Sequence, residues 1–438
     1  MKLIGKYLFL FLVLSSLTLN SSCGVTKQNT KLVEGKKEIV IYSLLPKGPS
    51  DYLIEFALGH YDGIQVTQVY FDDNLEKLQN QLKVELMVGE GPDVVCTNIL
   101  SRSIISSVYK LANSNIFIDL DPYLKADKTY KQSDYNKVIM DSDVFNGKRF
   151  FIPRIYNVPA LITTKEKLVS NNIKISGDRW SWEDLISTCK DFLITRKDKH
   201  QALIYDSRNN LIIDLIANSK ESFINYNSKN TKFNSQNFIK LLKDYKNYIC
   251  PVLMKATDSN TKALFADDNL AVMKLASYTG DPISYLAEVN SPSIYLLPSY
   301  GNGGVYGVPQ EMYAITAKCK YKQAAYDFIQ SMMKSTNLLM GKQGSAGAAV
   351  YKPLFNRFME AAEGKGYISD IGIKMYRPLN SEEKNVFSEI ANASEARLSD
   401  DTINEMITTA VDKYIKGTIT AEQATIEIDR KAKLFLNE

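Results

Sequence analysis

Residues 75–97, LEKLQNQLKVELMVGEGPDVVCT, decide the fold. The apolar residues of the first part recur mostly at steps of three and four, which is the spacing of one helix face. These residues are Leu75, Leu78, Leu82, Leu86 and Met87. Two glycines and a proline at 89–92 end this helix, and the apolar run at 93–97 predicts a buried strand.

Two more strands precede this stretch in the chain. Residues 38–43 form a short apolar run with β-branched residues, and residues 65–70 form a second one. A helical stretch around 50–58 separates them. Strands and helices that alternate in this way, with largely apolar strands, predict an α/β fold whose mostly parallel sheet is covered by helices on both faces.

The same alternation recurs further along the chain. A strand at 160–164 leads into a helix at 165–168, and Ser181 is placed to cap another helix. Glu183 and Asp184 follow in its first turn, where they favour the positive end of the helix dipole. From Lys322 to Glu438 the spacing of apolar residues predicts mostly helix.

Composition limits the class of protein. The chain has 438 residues, enough for two or three domains, and its 45% hydrophobic and 23% charged residues are typical of a soluble globular protein. Its 53 basic and 49 acidic residues are mixed along the chain, which argues against a nucleic-acid partner. With two histidines, His60 and His200, the sequence predicts no histidine-based metal site or triad, and no cofactor.

Four cysteines are scattered with no metal-like spacing: Cys96, Cys189, Cys250 and Cys319. The favoured interpretation is that these cysteines are buried free thiols. A single disulfide between two of them is the alternative, and the sequence does not identify the pair.

The N-terminus has the pattern of an export signal. Lys2 and Lys6 precede an apolar run at 7–19 and small residues before Cys23. This order resembles the lipobox of bacterial lipoproteins, which predicts a signal peptide at 1–22 and a lipidated Cys23 on the extracytoplasmic face of the cell membrane. The polar, lysine-rich residues at 23–37 then form a flexible tether. An ordinary secretory signal, or an uncleaved anchor, is the alternative.

Several segments, in order along the chain, resemble the extracellular solute-binding proteins of ABC importers, in the subgroup related to maltose-binding protein. The segments are IVIYS at 39–43, GEGPDVV at 89–95, FIP at 151–153, ALITT at 160–164, WSWEDL at 180–185, FADDNLAVM at 265–273, YAIT at 313–316, AAYDFI at 324–329 and GTITAEQA at 417–424.

This resemblance implies a two-lobed fold with the ligand in the cleft between the lobes. The first lobe is expected at 38–158 and 277–313, and the second at 159–276 and 314–438. The ends of parallel strands converge at one edge of a sheet, so ligands bind there, and hinge closure buries them. The implied partners are a small solute and a membrane permease, with the binding protein itself a monomer.

Candidate ligand-binding residues follow predicted strands or lie on predicted crossovers and glycine-rich loops. They are Ser43, Thr97, Asn98, Arg102, Tyr156, Asn157, Tyr278, Tyr306 and Tyr351. Flat aromatic faces and planar polar groups suit a sugar. Ordinary packing is the alternative for each tyrosine, and packing at a helix start is expected of Trp180 and Trp182.

Three functions remain open on the sequence. The first is binding of a mono- or oligosaccharide without catalysis. The second is binding of a peptide, a polyamine or a metal chelate, which the low count of two tryptophans keeps open. The third is a secreted enzyme acting on glycans, which is disfavoured because no nucleophile, base or metal cluster stands out and no carboxylate pair has a supporting spacing.

Overall fold

The computed structural model describes residues 26–27, 33–43, 63–71, 74–97, 107–175, 180–196, 198–206, 210–255, 271–278, 292–301, 304–334, 348–363, 380–398 and 400–438. The predicted signal peptide, Cys23 and the predicted helix at 50–58 lie outside these ranges.

The strands are β1 (Thr26–Lys27), β2 (Lys37–Ser43), β3 (Ile64–Tyr70), β4 (Val94–Cys96), β5 (Val144–Phe145), β6 (Lys148–Arg149), β7 (Ile152–Thr164), β8 (Ala202–Asp206), β9 (Ile224–Asn225), β10 (Asn230–Thr231), β11 (Leu253–Lys255), β12 (Ala271–Tyr278), β13 (Pro292–Leu296), β14 (Tyr306–Ile315), β15 (Ala348–Ala349) and β16 (Glu395–Ala396).

The helices are α1 (Leu75–Met87), α2 (Val108–Ala112), α3 (Asp121–Ala126), α4 (Lys137–Met140), α5 (Lys165–Ser170), α6 (Trp182–Thr195), α7 (Leu211–Ala217), α8 (Gln236–Asp244), α9 (Lys322–Lys334), α10 (Lys352–Glu363), α11 (Ser381–Ala391), α12 (Asp401–Ile415) and α13 (Ala421–Asn437).

Twelve of the described strands form one sheet, with the order β1-β3-β2-β4-β14-β7-β12-β8-β11, while β13 and β15 pair with β7 and β16 pairs with β14. Strands β3, β2 and β4 run parallel at one end, and β12, β8 and β11 run parallel at the other. The α/β fold class with parallel sheets flanked by helices is therefore confirmed. The strands between these two runs, β14 and β7, pair antiparallel.

Strand β7 joins the two parallel runs. Its first half pairs with β14, where Asn157 lies opposite Val308, and its second half pairs with β12, where Ile162 lies opposite Lys274. A single strand of thirteen residues thus passes from one half of the sheet to the other. The strand predicted at 160–164 is the second half of this longer strand.

Separate hydrophobic cores lie on the two halves. Ile39 and Ile152 belong to one core, and Leu161 and Trp182 belong to another. Helix α9 packs into the first core, whereas α12 and α13 pack mainly into the second. The lobe boundaries stay a prediction, and the packing of α9 favours moving residues 322–334 from the second lobe to the first.

Local sequence accounts for the elements near the sheet edge. In α1, Leu78, Leu82 and Leu86 are buried as predicted, while Leu75 and Met87 are 36% and 75% exposed, so the buried face is narrower than the sequence predicts. The turn after α1 requires glycine at position 91, where φ is +96° and a Cβ would lie 3.3 Å from the Cβ of Glu85.

The start of α6 is also as predicted. The Ser181 side chain accepts a hydrogen bond from the Asp184 backbone N–H at 3.1 Å, and the Asp184 carboxylate accepts from the Ser181 N–H at 2.9 Å. This reciprocal pair is a capping box, which satisfies two backbone donors at the helix start.

Candidate ligand-binding site

A cavity of about 340 Å³ lies where the crossing strands β7 and β14 meet helices α7 and α12. Its lining residues are Asn157, Pro159, Asn210, Ile213, Asp214, Ile216, Ala217, Ser222, Phe223, Ile224, Tyr226, Phe233, Val308, Gln310, Arg397, Leu398, Asp400, Asp401, Ile403, Asn404 and Ile407. The set combines apolar and aromatic side chains with amides and carboxylates, which is the composition of small-molecule sites.

The crossing strands supply one wall of this cavity. Asn157 of β7 lies opposite Val308 of β14, and Gln310 lies two residues further along the same strand face. All three are partly buried. The Oδ1 atom of Asn157 is shielded from solvent and has no hydrogen-bond partner within the described structure.

The start of α12 supplies a facing carboxylate. Asp400 is 2% exposed, and its Oδ1 accepts hydrogen bonds from the backbone N–H groups of Thr402 at 3.1 Å and Ile403 at 3.2 Å, so it caps the helix. Its Oδ2 has no hydrogen-bond partner among the described residues. Burial raises the pKa of this carboxyl to about 6, because it disfavours the charged form.

Aromatic rings form the apolar wall. Phe223 and Phe233 stack with ring centroids 6.1 Å apart, and both are buried. Tyr226 packs against Tyr109 at 5.3 Å, and burial raises the pKa of its hydroxyl well above the usual value. These rings form the aromatic part of the cavity wall.

The guanidinium of Arg397 is already engaged. It donates to the Glu395 carboxylate at 3.1 Å and to the Ala396 carbonyl at 3.2 Å, and it lies 4.6 Å from the ring centroid of Tyr306. Its charge is therefore largely neutralised by the protein itself.

The family of the chain follows from a match over residues 51–337 to the model of the bacterial extracellular solute-binding proteins. The chain belongs to this family. A search of curated proteins found no match.

Solved structures share the fold of this solute-binding protein at low identity. An ABC substrate-binding protein from Listeria monocytogenes, in complex with cycloalternan, has a TM-score of 0.64 and 16% identity over 92% of this chain and 99% of the other. The sugar-binding protein MalE from Xanthomonas citri has a TM-score of 0.68 and 12% identity, over 92% and 98% of the two chains. UgpB from Mycobacterium tuberculosis, in complex with glycerophosphocholine, has a TM-score of 0.63 and 15% identity, over 92% and 99%.

The cavity of this solute-binding protein contains one of the nine predicted ligand residues, Asn157. Its neighbour Tyr156 is fully buried in the first core instead, and its hydroxyl donates to the Ile390 carbonyl at 2.7 Å. Thr97 is partly buried, and its Oγ1 accepts from the Met312 backbone N–H at 3.0 Å. In this structure both Tyr156 and Thr97 therefore act within the protein.

Two other predicted tyrosines lie outside the cavity wall. Tyr306 is buried beneath Arg397, and burial and the nearby Glu395 raise the pKa of its hydroxyl. Tyr351 is partly buried, with its ring 5.2 Å from that of Tyr135. A ligand role for these two residues stays a prediction.

Four predicted residues remain: Ser43, Asn98, Arg102 and Tyr278. Asn98 and Arg102 lie outside the described residues. For Ser43 and Tyr278 the structure gives the backbone, which pairs with Tyr70 and Val158 respectively. Their ligand roles also stay predictions.

Sequence reasoning missed Asp400, Gln310 and Tyr226. The run Asp400, Asp401, Thr402 has the form of a helix start, which is the one signal that marks Asp400 as special. Capping residues occur at many helix starts that bind nothing, so this signal alone does not predict a ligand.

Two other cavities are less suited to the solute. One of about 470 Å³ lies between α5, β13 and α11, and none of its lining residues belongs to a crossing strand. Another, of about 370 Å³, lies beside Trp180 and Asn218, whose side chains already donate to the carbonyls of Leu296 at 3.1 Å and Leu297 at 2.7 Å.

The described residues also show the state of four cysteines and whether a metal-binding cluster is present. Cys96, Cys189, Cys250 and Cys319 are free thiols, with Cys189 and Cys319 buried. Within the described ranges no group of three His, Cys, Asp or Glu side chains is placed to hold a metal ion. No described helix is long and apolar enough to cross a membrane.

Proposed function

We propose that this solute-binding protein captures a mono- or oligosaccharide outside the cell, in the cavity at the crossing strands, and delivers it to an ABC importer. The observation that carries this proposal is the position of Asn157, a residue chosen from the sequence, on the crossing strand that forms one wall of the cavity. The proposal includes no catalysis, because the family consists of binding proteins.

The chemistry of the wall supports a sugar. Amides and carboxylates accept and donate hydrogen bonds to hydroxyl groups, while Phe223, Tyr226 and Phe233 offer flat faces to the apolar side of a sugar ring. The cavity also lies where strands pass between the halves, so a change in their relative orientation would close it around a solute.

The solved structures support a small solute and leave its class to experiment. Two of them carry sugar-binding names or a bound cyclic saccharide, and a third holds glycerophosphocholine. At 12–16% identity these similarities support the fold but do not identify the solute that this protein binds.

Ligand binding is tested on the lipid-free chain, residues 24–438, by a thermal-shift screen of mono- and disaccharides, with glycerophosphocholine and a short peptide as non-sugar probes. A solute that binds the folded state raises the melting temperature. No shift with any saccharide, or cleavage of a saccharide during incubation, would contradict the proposal.

The site itself is tested with Asn157→Ala. Losing an amide that contacts the solute should weaken binding about tenfold, equivalent to about 1.4 kcal/mol, with the melting temperature of the free protein kept or raised. Asn237→Ala, at an exposed position of α8, is the matched control. A lower melting temperature with unchanged affinity would assign Asn157 a purely structural role.

We also propose that Cys23 carries the lipid that holds the protein, as a monomer, on the outer face of the membrane. Thr26 and Lys27 pair with Tyr70 and Val69 at the edge of the sheet, so part of the predicted tether at 23–37 lies against the folded body. Cys23→Ser should release the protein from the membrane fraction or leave its signal uncleaved. Unchanged processing and membrane retention would refute the anchor.

A further inference from the structure

The charges on the cavity wall are unbalanced. Asp214, Asp400 and Asp401 line the cavity, and among the described lining residues Arg397 is the one cation. Arg397 pairs with Glu395, so it is not a free counter-ion for Asp400. Among the described lining residues, no other cation is present to pair with the buried Asp400 carboxyl.

Asp400 is the most exceptional of these carboxylates. It is 2% exposed, and its Oδ2 has no hydrogen-bond partner among the described residues. A buried carboxylate without a cation or a full set of donors is destabilising, so its presence needs a specific explanation. The position of Asp400 on the cavity wall points to a solute that supplies the missing donor.

The groups that face Asp400 come from several elements. Asp401 follows Asp400 in the chain and begins α12, and Tyr226 belongs to the aromatic part of the wall. Arg397 comes three residues before Asp400 and also lines the cavity. The hydroxyl of Ser107, ahead of α2, lies close enough to the Asp400 carboxyl to lower its pKa, but it carries no charge. None of these groups supplies a free positive charge.

We propose that the solute carries an ammonium group, as in an amino sugar, and that this group pairs with the Asp400 carboxylate while Asn157 accepts a second hydrogen bond. This inference rests on the proposed function and specifies its substrate class. A hydroxyl group supplies a donor, whereas an ammonium group supplies donors and the missing charge. The ring of Tyr226 adds an aromatic face that attracts cations.

Both acceptor atoms are shielded from solvent in this structure. The contact therefore forms as the halves rearrange around the solute, which replaces the shielding atoms with the ammonium group. The volume of about 340 Å³ lies at the small end of the usual range for ligand pockets, about 300–1,000 Å³, and so favours a mono- or disaccharide.

The test is calorimetry on the lipid-free chain, residues 24–438, at pH 7 with three matched disaccharides. These are the β-1,4-linked glucosamine disaccharide, its N,N′-diacetyl form and cellobiose, which carry an ammonium, an acetamido or a hydroxyl group at C2 of each ring. The glucosamine disaccharide should bind at least tenfold more tightly than the other two. Lowering the pH from 7 to 5 should weaken its binding, because Asp400 then becomes protonated and loses its charge.

The variant that isolates the charge is Asp400→Asn, because asparagine keeps an acceptor for the cap of α12. It should weaken binding of the glucosamine disaccharide at least tenfold and remove the dependence on pH. Glu405→Gln, on the exposed side of the same helix, is the control and should change affinity less than twofold.

The outcomes separate the two proposals. If cellobiose or the diacetyl form binds as tightly, or if Asp400→Asn keeps full affinity, the ammonium proposal is wrong and saccharide binding stands. If none of the three binds, the ammonium proposal fails for sugars, and the wider saccharide screen alone decides the proposed function.

Discussion

Two aspartate clusters, each with a fully buried member, differ in where their positive charge comes from. Arg149 lies among three carboxylates: its Nε is 2.8 Å from Asp121, and its Nη2 and Nη1 are 2.8 and 3.7 Å from Asp141 and Asp143. At the cavity, Asp400 has neither a cation nor a partner for Oδ2 among the described residues. Both clusters put one carboxyl group out of water, at Asp143 and at Asp400, and only the first has a guanidinium beside it.

The presence or absence of a cation from the protein itself distinguishes a structural carboxyl group from one that binds a ligand. Asp143 is fully buried like Asp400, and burial raises its pKa to about 8 even though Arg149 opposes the shift. The guanidinium of Arg149, on strand β6, contacts all three aspartates of the first cluster. The role of this arginine is therefore structural. The second cluster faces a cavity, where the missing charge has room to come from outside.

The largest expected effect is that of Arg149→Met. It leaves the Asp121 and Asp141 carboxylates without their common cation, and removal of one partner from a buried ion pair costs about 3–5 kcal/mol. Urea unfolding at pH 7 should show a loss of that size. A loss below about 1 kcal/mol would mean that the cluster is solvated, and the comparison with the cavity would then lose its basis.

Asp143→Asn tests the pH dependence of the first cluster. Because the pKa is raised in the folded state, the folded protein binds the proton more tightly, and stability falls as the pH rises from about 4 to about 8. Asparagine does not titrate, so the variant should lose this dependence, a change of more than about 1 kcal/mol between pH 4 and pH 8. Parallel curves for the variant and the parent would show that Asp143 is not protonated in the folded state.

Asp400→Asn applies the same change to the second cluster, without ligand. The pKa of about 6 places its effect between about pH 4 and pH 6, a narrower window, so the free variant should be about 1–2 kcal/mol more stable than the parent at pH 7. Asp400→Asn should therefore raise the stability of the free protein while it weakens binding of the glucosamine disaccharide. A less stable variant would make Asp400 a structural residue like Asp121.

Lys137→Ala should have the smallest effect. Lys137 pairs with Asp141 one helical turn away, but the lysine side chain is 64% exposed. Exposed pairs of this kind contribute about 0.3–0.5 kcal/mol. A loss above about 1 kcal/mol in urea unfolding would show that the first cluster depends on more than its guanidinium.

Much of the fold is predictable because its signals are local. Strand β2, helix α1 and the capping box at Ser181 follow from residue spacing and from the chemistry of a helix start. The exposure of Leu75 and Met87 is not predictable in the same way, because the width of the buried face depends on what packs against the helix.

The candidate site was less predictable, and Tyr156 and Asn157 show why. Adjacent residues of a strand point to opposite faces, so one of the pair packs into the core while the other faces the cavity. The sequence places both on the crossing strand, but it does not say which face of that strand meets the cavity.

The sequence by itself determined strand β2, helix α1, the start of α6 and the family, because periodicity, caps and motif order depend on residues that are close together in the chain. Only the tertiary structure decided that Asn157 and Asp400 line one cavity and that Arg149 joins three aspartates. Residues far apart in the chain meet through the packing of whole elements, and the burial that follows sets their charge and their partners.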